Sequence, residues 1–485
     1  MPPPDDPLRN AFAPDSFRGQ GHALVDLLAD HLANAAAGEG LPVLPRGSPD
    51  ELLARWPGDF PREPAAGALD SLDALVTRAV ADSNHLHHAR YVGHQVTSPL
   101  PMAALCELVS GLLNNSMAVY EMGPAATAME RRVVLWLARQ LGFGDGADGI
   151  LTSGGSSANL TALLAARQAR AGFDAWRDGA HAGPPLAVLA ADQAHYSVRR
   201  AVQVMGLGAG GVVTVPTDAR FRLRADALGG ALATATRAGR RVFAVVASAG
   251  STATGSFDPL PEIADFCELH GLWLHVDGAH GASAALSPRT RALVAGIDRA
   301  DSVVWDPHKM MLMPALVSAV LFRDGRDSYR AFEQEASYLF RGEAHDGEWW
   351  NVGLRTLECT KRMLGFPLYA SLSLLGTQVF GDYVEGRFAL AARFGELLEA
   401  APDFELAVAP QCNIVCFRYT PNGVDDLDSM QTAVRTRILY DGSFYLVQTR
   451  LPAGVYLRTT LIQPFTSEAD LVALLDAIRR AAAGV

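Results

Sequence analysis

The chain predicts an α/β fold whose larger part is a mostly parallel, seven-stranded sheet covered by helices. After Gly149, short apolar and β-branched runs recur: GILT (149–152), PLAVLAAD (185–192), GVVTVP (211–216), RVFAVVAS (241–248), LWLHVD (272–277), SVVWD (302–306) and ALVSAVLF (315–322). Helical stretches of ten or more residues fit between most of them, such as SANLTALLAARQAR (157–170) and LPEIADFCELHG (260–271). Apolar strands joined by crossover helices imply parallel pairing with both faces buried. In such sheets, ligands gather beyond the carboxyl ends of the strands. The length, 485 residues, allows roughly two to three domains and a large core.

The elements follow in order. MPPPDD reads as a loose start, and amphipathic patterns run through His22–Ala35 and Leu69–Ser83, giving a helical N-terminal segment over 1–90. Residues 99–141 are mainly helical and end at a glycine stop. They open a large domain over 91–370. A long helical pattern spans about 366–400, and strands near 404–408, 412–419 and 454–461 precede a last helix at 467–482. Residues 371–485 therefore read as a smaller α+β domain.

Composition excludes several roles. Lys and Arg number 41 against 52 Asp and Glu, a net charge of −11 spread along the chain. That balance argues against nucleic acid or an anionic membrane as partner, since phosphate affinity comes from concentrated positive charge. Five cysteines (Cys106, Cys267, Cys359, Cys412, Cys416) are too scattered for a disulfide framework, and Cys412 with Cys416 reads as a buried, reduced pair. No signal peptide and no membrane-length apolar run is seen, so a cytoplasmic location is expected. His85, His87 and His88 lack a carboxylate or cysteine at ligand spacing, so no metal is expected there. Only two lysines occur, Lys309 and Lys361. Any chemistry that needs an ε-amine has two candidates.

Four clusters fall just after strand candidates. Thr152-Ser153-Gly154-Gly155-Ser156-Ser157 suits either a phosphate-binding turn at a helix N-terminus or a serine-capped strand-to-helix turn. Asp277 ends its strand, where it is either a turn residue or a carboxylate facing a cationic ring nitrogen. Asp306-Pro307-His308-Lys309 places a lysine among Trp305, Met310, Met311, Leu312 and Met313, surroundings that favour the neutral, nucleophilic amine. His195, in Asp192-Gln193-Ala194-His195-Tyr196-Ser197, is either a loop residue or a ring-sized contact. Together they match the needs of pyridoxal 5'-phosphate: a cradle for the phosphate, an acid for the ring nitrogen and a lysine for the aldehyde.

From about residue 88 onward the chain resembles the pyridoxal-phosphate decarboxylases of the glutamate, aromatic-amino-acid and diaminobutyrate type. The likeness runs through YEMGPAATAMERRVVLWL, TSGGSSANLTALLAAR, DQAHYSVRRA, SFDPLPEIADFCELHGLWLHVDGAHG and WDPHKMM. It implies fold type I and a homodimer with its active site at the subunit interface. It also implies cleavage of the bond between Cα and the carboxylate of an amino acid. Lys309 would form the Schiff base, Asp277 would pair with the pyridine nitrogen, His195 would stack on the ring and Ala279 would touch its other face. Gly154, Gly155, Ser156 and His308 would hold the phosphate, with Thr252 also near the cofactor. Lys361, in Glu358-Cys359-Thr360-Lys361, would be structural.

Three positions depart from the family pattern. Around 340–353, which would match the family's loop over the neighbouring subunit's site, Trp350 falls at or next to the position of the family's tyrosine, which protonates the carbanion after carbon dioxide leaves. An indole N–H is not a useful acid. Amine formation is the expected outcome, with His345 as another candidate acid. Decarboxylation-coupled oxidative deamination to an aldehyde, and β-elimination, stand as alternatives. A non-catalytic cofactor-binding protein on the same scaffold is a fourth reading, of a different class. His280 replaces an aromatic residue after the aspartate-x-alanine, and Asp306 replaces a common amide. Arg458 resembles an arginine near the substrate carboxylate, while Tyr91, His94 and Gln95 match a substrate-facing segment loosely.

Overall fold

The computed structural model describes residues 7–38, 40–56, 58, 60, 62, 71–332 and 348–483. Their contacts divide into two units: residues 95–417 with 460–462, and residues up to 94 with 418–459 and those from 463 onward.

The first unit is built on seven strands: β1 Asp148–Thr152, β2 Leu186–Ala191, β3 Val212–Val215, β4 Arg241–Ser248, β5 Trp273–Asp277, β6 Ser302–Trp305 and β7 Ser318–Phe322. All seven apolar runs form strands: β1 starts one residue earlier, at Asp148, β4 fills its run, and the other five are trimmed by up to three residues at an end. The sheet order is β1-β7-β6-β5-β4-β2-β3. β7 runs antiparallel to both neighbours, while β6, β5, β4, β2 and β3 pair in parallel. Strands β1, β2, β5, β6 and β7 are buried along their whole length, as a sheet covered on both faces requires. The helix Gly155–Arg170 presents Ala158, Ala162, Leu163 and Ala166 to a core that also holds Val304, Val320, Trp273 and Phe322.

Local chemistry sets several boundaries. Helix Leu260–His270 stops at Gly271, whose φ of 63° is the left-handed conformation glycine adopts without a Cβ clash. The single long helix expected over 366–400 is two helices, Gly365–Leu375 and Gln378–Glu399. Gly376, at φ 76° and ψ 171°, breaks the run in a region closed to residues with a side chain.

In the second unit, helix Pro14–Ala37 extends the predicted His22–Ala35, and helix Leu72–Ala81 lies within Leu69–Ser83. Residues 1–6, 69 and 70 of those expectations lie outside the described residues. Of the C-terminal strands, β8 Phe404–Leu406 and most of β9 Ile414–Tyr419 fall in the first unit, and β10 Val447–Leu451 and most of β11 Gly454–Thr460 in the second. β10 pairs antiparallel with β11 and was not expected, because Val447-Gln448-Thr449-Arg450-Leu451 is too polar to stand out as an apolar run. The last helix, Glu468–Ala482, starts at a capping box between Ser467 and Asp470.

Candidate active site

The parallel strands carry the candidate residues to one edge of the sheet. β5 ends at Asp277, and β6 ends one residue before Asp306. The two strands are register neighbours, Asp277 opposite Val304, and the Asp306 N–H donates to the Ala279 carbonyl at 3.1 Å. Asp277, Ala279 and the Asp306–Lys309 turn are thereby fixed to one another through backbone.

Lys309 sits on the short helix Pro307–Met310, one turn after Asp306. Its Nζ lies 3.0 Å from Asp306 Oδ2, and His308 Nε2 lies 3.7 Å from the same oxygen. Asp306 is fully buried, which pushes its carboxyl upward, but Lys309 and His308 outweigh burial and hold it below its ordinary value. The other oxygen, Oδ1, has no hydrogen-bond partner among the described residues. The carboxylate that the sequence marked as a departure therefore faces the lysine and lies within reach of His308.

The glycine turn links β1 to helix Gly155–Arg170. Gly154 has φ 131°, open only to glycine, and a Cβ on Gly155 would stand 2.9 Å from Asp306 Oδ2. Both positions need glycine, and the first-turn N–H groups of a helix have no partners within it. His308 is buried, with Nδ1 2.6 Å from the Val317 carbonyl oxygen. Thr252 lies in the loop after β4, which is braced by Ser251 Oγ to Thr254 Oγ1 at 3.0 Å and Thr254 Oγ1 to Ser256 Oγ at 2.8 Å.

Asp277 accepts from the Ala279 N–H at 3.2 Å and from Asn159 Nδ2 at 3.0 Å. His195 caps helix Tyr196–Val204, and its Nδ1 lies 2.7 Å from Ser197 Oγ. Burial lowers the His195 pKa, and the charges of Asp277, Lys309 and Asp306 all bear on its ring. Lys309, Asp306, Asp277 and His195 thus form one electrostatic cluster. Asn159 and Ser197 were missed by sequence reasoning. The one available signal was an asparagine among Ala158, Ala162 and Leu163 on an apolar helix face.

His280 is buried and its Nε2 lies 2.6 Å from Asn413 Oδ1. Trp350 is half-exposed, edge-on to Trp349 with ring centroids 5.8 Å apart. Its segment is tied down by Gly353 N–H to the Ala118 carbonyl at 2.9 Å, Arg355 to Asp148 at 2.9 Å, and Ser153 Oγ to Glu358 Oε1 at 2.7 Å. Lys361 is fully buried against Glu130, and its Nζ donates to the Leu151 carbonyl at 2.7 Å. His345 lies outside the described residues.

Tyr91 and Arg458 belong to the second unit. Tyr91 is buried and stacks on Tyr445 at 4.9 Å. Arg458, on β11, is also buried, and it and Arg435 join burial in lowering the pKa of His94. Among the described residues, no three histidine, cysteine, aspartate or glutamate side chains gather at metal-binding range.

A lysine amine, a carboxylate held by donors and a glycine turn fit the needs of a phosphorylated aromatic aldehyde. The two glycine positions, where a side chain would strain the backbone or strike Asp306, fit a phosphate cradle. The chain belongs to the family described as the pyridoxal-dependent decarboxylase conserved domain, whose model matches residues 49–420. It is 29% identical over 469 residues to an aromatic-L-amino-acid decarboxylase of Bacillus atrophaeus, covering 96% of this chain and 95% of that one. It is 30% identical over 431 residues to an L-2,4-diaminobutyrate decarboxylase of Acinetobacter baumannii, covering 86% and 84%. A crystal structure of mouse CSAD aligns with TM-score 0.88 at 27% identity, over 97% of this chain and 99% of that one. The protein is a pyridoxal-phosphate-dependent carboxy-lyase of fold type I.

Proposed function

We propose that the protein decarboxylates an L-amino acid to its amine, with Lys309 as the residue that binds the cofactor aldehyde. The carrying observation is the cluster of Lys309, Asp306, His195 and Asp277 at the carboxyl ends of β2, β5 and β6. When bound, pyridoxal phosphate supplies an electron sink for the bond broken at the substrate's α-carbon. Asp277 would hold the proton of the ring nitrogen, and His195 and Ala279 would contact the ring. Gly154, Gly155, Ser156 and His308 hold the phosphate, with Thr252 beside them. His280 and Trp350 would shape the substrate's surroundings.

The working form is a homodimer with its site at the subunit interface. The apolar face that helix Pro101–Leu113 leaves open supports a second copy as its cover: Leu105, Leu108, Leu112 and Leu113 are all exposed. No described helix is long and apolar enough to cross a membrane.

Trp350 favours a second reading, the aldehyde-forming oxidative one, because an indole N–H cannot deliver the proton that completes an amine. A screen of amino acids that records carbon dioxide, ammonia, peroxide and oxygen uptake separates the outcomes. Carbon dioxide without ammonia supports the decarboxylase. Ammonia with oxygen uptake supports the oxidative path, and ammonia without carbon dioxide indicates β-elimination. If the oxidative path operates, Trp350→Tyr shifts product toward amine; an unchanged product ratio removes Trp350 from the explanation.

A further inference from the structure

Behind the site runs a buried chain of hydrogen-bonded side chains that ends on Asp277 and His195. Trp273, Ser302, His275, Asn159 and Ser197 are all fully buried. The Trp273 indole can only donate, and its Nε1–H points to Ser302 Oγ at 2.9 Å. The Ser302 hydroxyl hydrogen then serves its other neighbour, His275 Nδ1 at 2.8 Å. His275 Nδ1 accepts, so its proton sits on Nε2 and is donated to Asn159 Oδ1 at 2.9 Å. That fixes the flip of the amide. Asn159 Nδ2 therefore donates twice, to Asp277 Oδ2 at 3.0 Å and to Ser197 Oγ at 2.9 Å. Ser197, having accepted, donates its own hydrogen to His195 Nδ1 at 2.7 Å.

We propose that Asn159 is a positioning residue whose single amide holds the Asp277 carboxylate and, through Ser197, the His195 ring in register with each other. Its own orientation is set by the Asp277 carboxylate, which accepts from the amide nitrogen, and by the His275 N–H on the amide oxygen. This rests on the reading of Asp277 and His195 as cofactor contacts. A neutral His275 is part of the device. Moving its proton to Nδ1 would leave Nε2 an acceptor facing Asn159 Oδ1, and the amide could answer it only by turning its oxygen toward Asp277. Burial drives the His275 pKa down to about 4, which keeps the ring neutral. The consequence is that the Asp277 carboxylate receives donors only, from Asn159 Nδ2 and the Ala279 N–H. His195 in turn is held with its accepting nitrogen toward the protein, and its N–H on Nε2.

The test uses the full-length protein with and without cofactor. In cofactor-free protein carrying 15N-histidine, side-chain spectra are expected to place the protons of His275 and His195 on Nε2. A proton on Nδ1 of His275 overturns the proposal without any variant. Asn159→Leu is expected to weaken pyridoxal phosphate binding about tenfold or more. It should also move the pH midpoint of the bound cofactor's visible absorption by about half a unit or more. Ser197→Ala cuts only the His195 arm, so it should weaken binding while leaving that midpoint in place. Asp277→Asn and His195→Ala separate the two levels of the argument. If neither lowers cofactor affinity, the reading of those residues fails. If both do and a folded Asn159→Leu does not, the proposal alone fails. Should Asn159→Leu not fold, the tautomers of the parent protein decide.

Discussion

Replacing Lys361 with methionine tests the claim that one of the two lysines is structural. Lys361 Nζ donates to Glu130 Oε1 and to the Leu151 carbonyl, and Glu130 Oε1 also accepts the Leu151 N–H at 3.1 Å. Burial pushes the Lys361 ammonium down from its ordinary value and Glu130 pulls it back. Lys361→Met keeps the volume but leaves the Glu130 carboxylate buried and unpaired, with Oε2 already lacking a partner. Breaking a buried pair in this way costs about 3–5 kcal/mol. With an unfolding entropy of about 2.1 cal/mol/K per residue, 485 residues unfolding together give about 1 kcal/mol per degree. The expected drop in Tm is therefore about 3–5 °C by scanning calorimetry of the cofactor-loaded protein. Lys361→Met with Glu130→Leu should recover at least half of it, since both charges are then gone. A single variant within about 1 °C of the parent, or a double variant no better than the single, refutes the reasoning. The variant also leaves Lys309 as the chain's sole lysine, so borohydride reduction of cofactor onto any other residue would dismiss it as the attachment point.

Other consequences follow from the same geometry. Asp306→Asn removes a buried anion from beside the glycine turn, and the apoprotein should bind pyridoxal phosphate about tenfold tighter, ~1.4 kcal/mol; unchanged or weaker binding in an absorbance titration would show that the carboxylate does not oppose the phosphate. His275 has a folded pKa of about 4 against an ordinary 6.5, so its contribution to stability is complete above pH 6.5 and lost as pH falls toward 4, about 3 kcal/mol in all. Asp258, raised to about 6 by burial, acts in the opposite direction over the same range, so only the difference between His275→Gln and its parent isolates the histidine. The Tm deficit of that variant should shrink by about 3 °C between pH 7 and pH 4.5, and a constant deficit would count against a neutral buried ring.

Much of the frame was readable from the chain because the relevant signals are local. Seven apolar runs became β1–β7, and the four clusters that follow strands were placed by topology alone. Scarcity of lysine marked Lys309 before any geometry. What stayed hidden depends on residues far apart in sequence. Asn159 meets Asp277 across 118 positions and His275 across 116, and neither spacing has a pattern to find. Gly376 was invisible as a helix break because apolar periodicity continues on both sides of one residue. β10 was invisible because Gln448 and Arg450 alternate with partly buried positions in a run of modest hydrophobicity. The departure at Asp306 was legible as an oddity, while its direction, toward Lys309, required coordinates.

The two lysines show why one amine is available for chemistry and the other is not. Both meet a buried carboxylate. Lys361 is closed on by Glu130 and by a backbone carbonyl, and its side chain is 5% exposed. Withdrawing it would strand charge in the core. Lys309 meets Asp306, and its side chain is 17% exposed. Asp306 sits one helical turn before it and against the glycine turn, so the same carboxylate is next to the amine and to the cradle. On the proposed reading, the glycine turn would bring the cofactor's phosphate near that carboxylate, and Lys309 would bind its aldehyde. The local charge balance then changes at both ends of Asp306 at once. On that reading, Asp306, beside both Lys309 and Gly155, is placed to couple cofactor binding to lysine pairing.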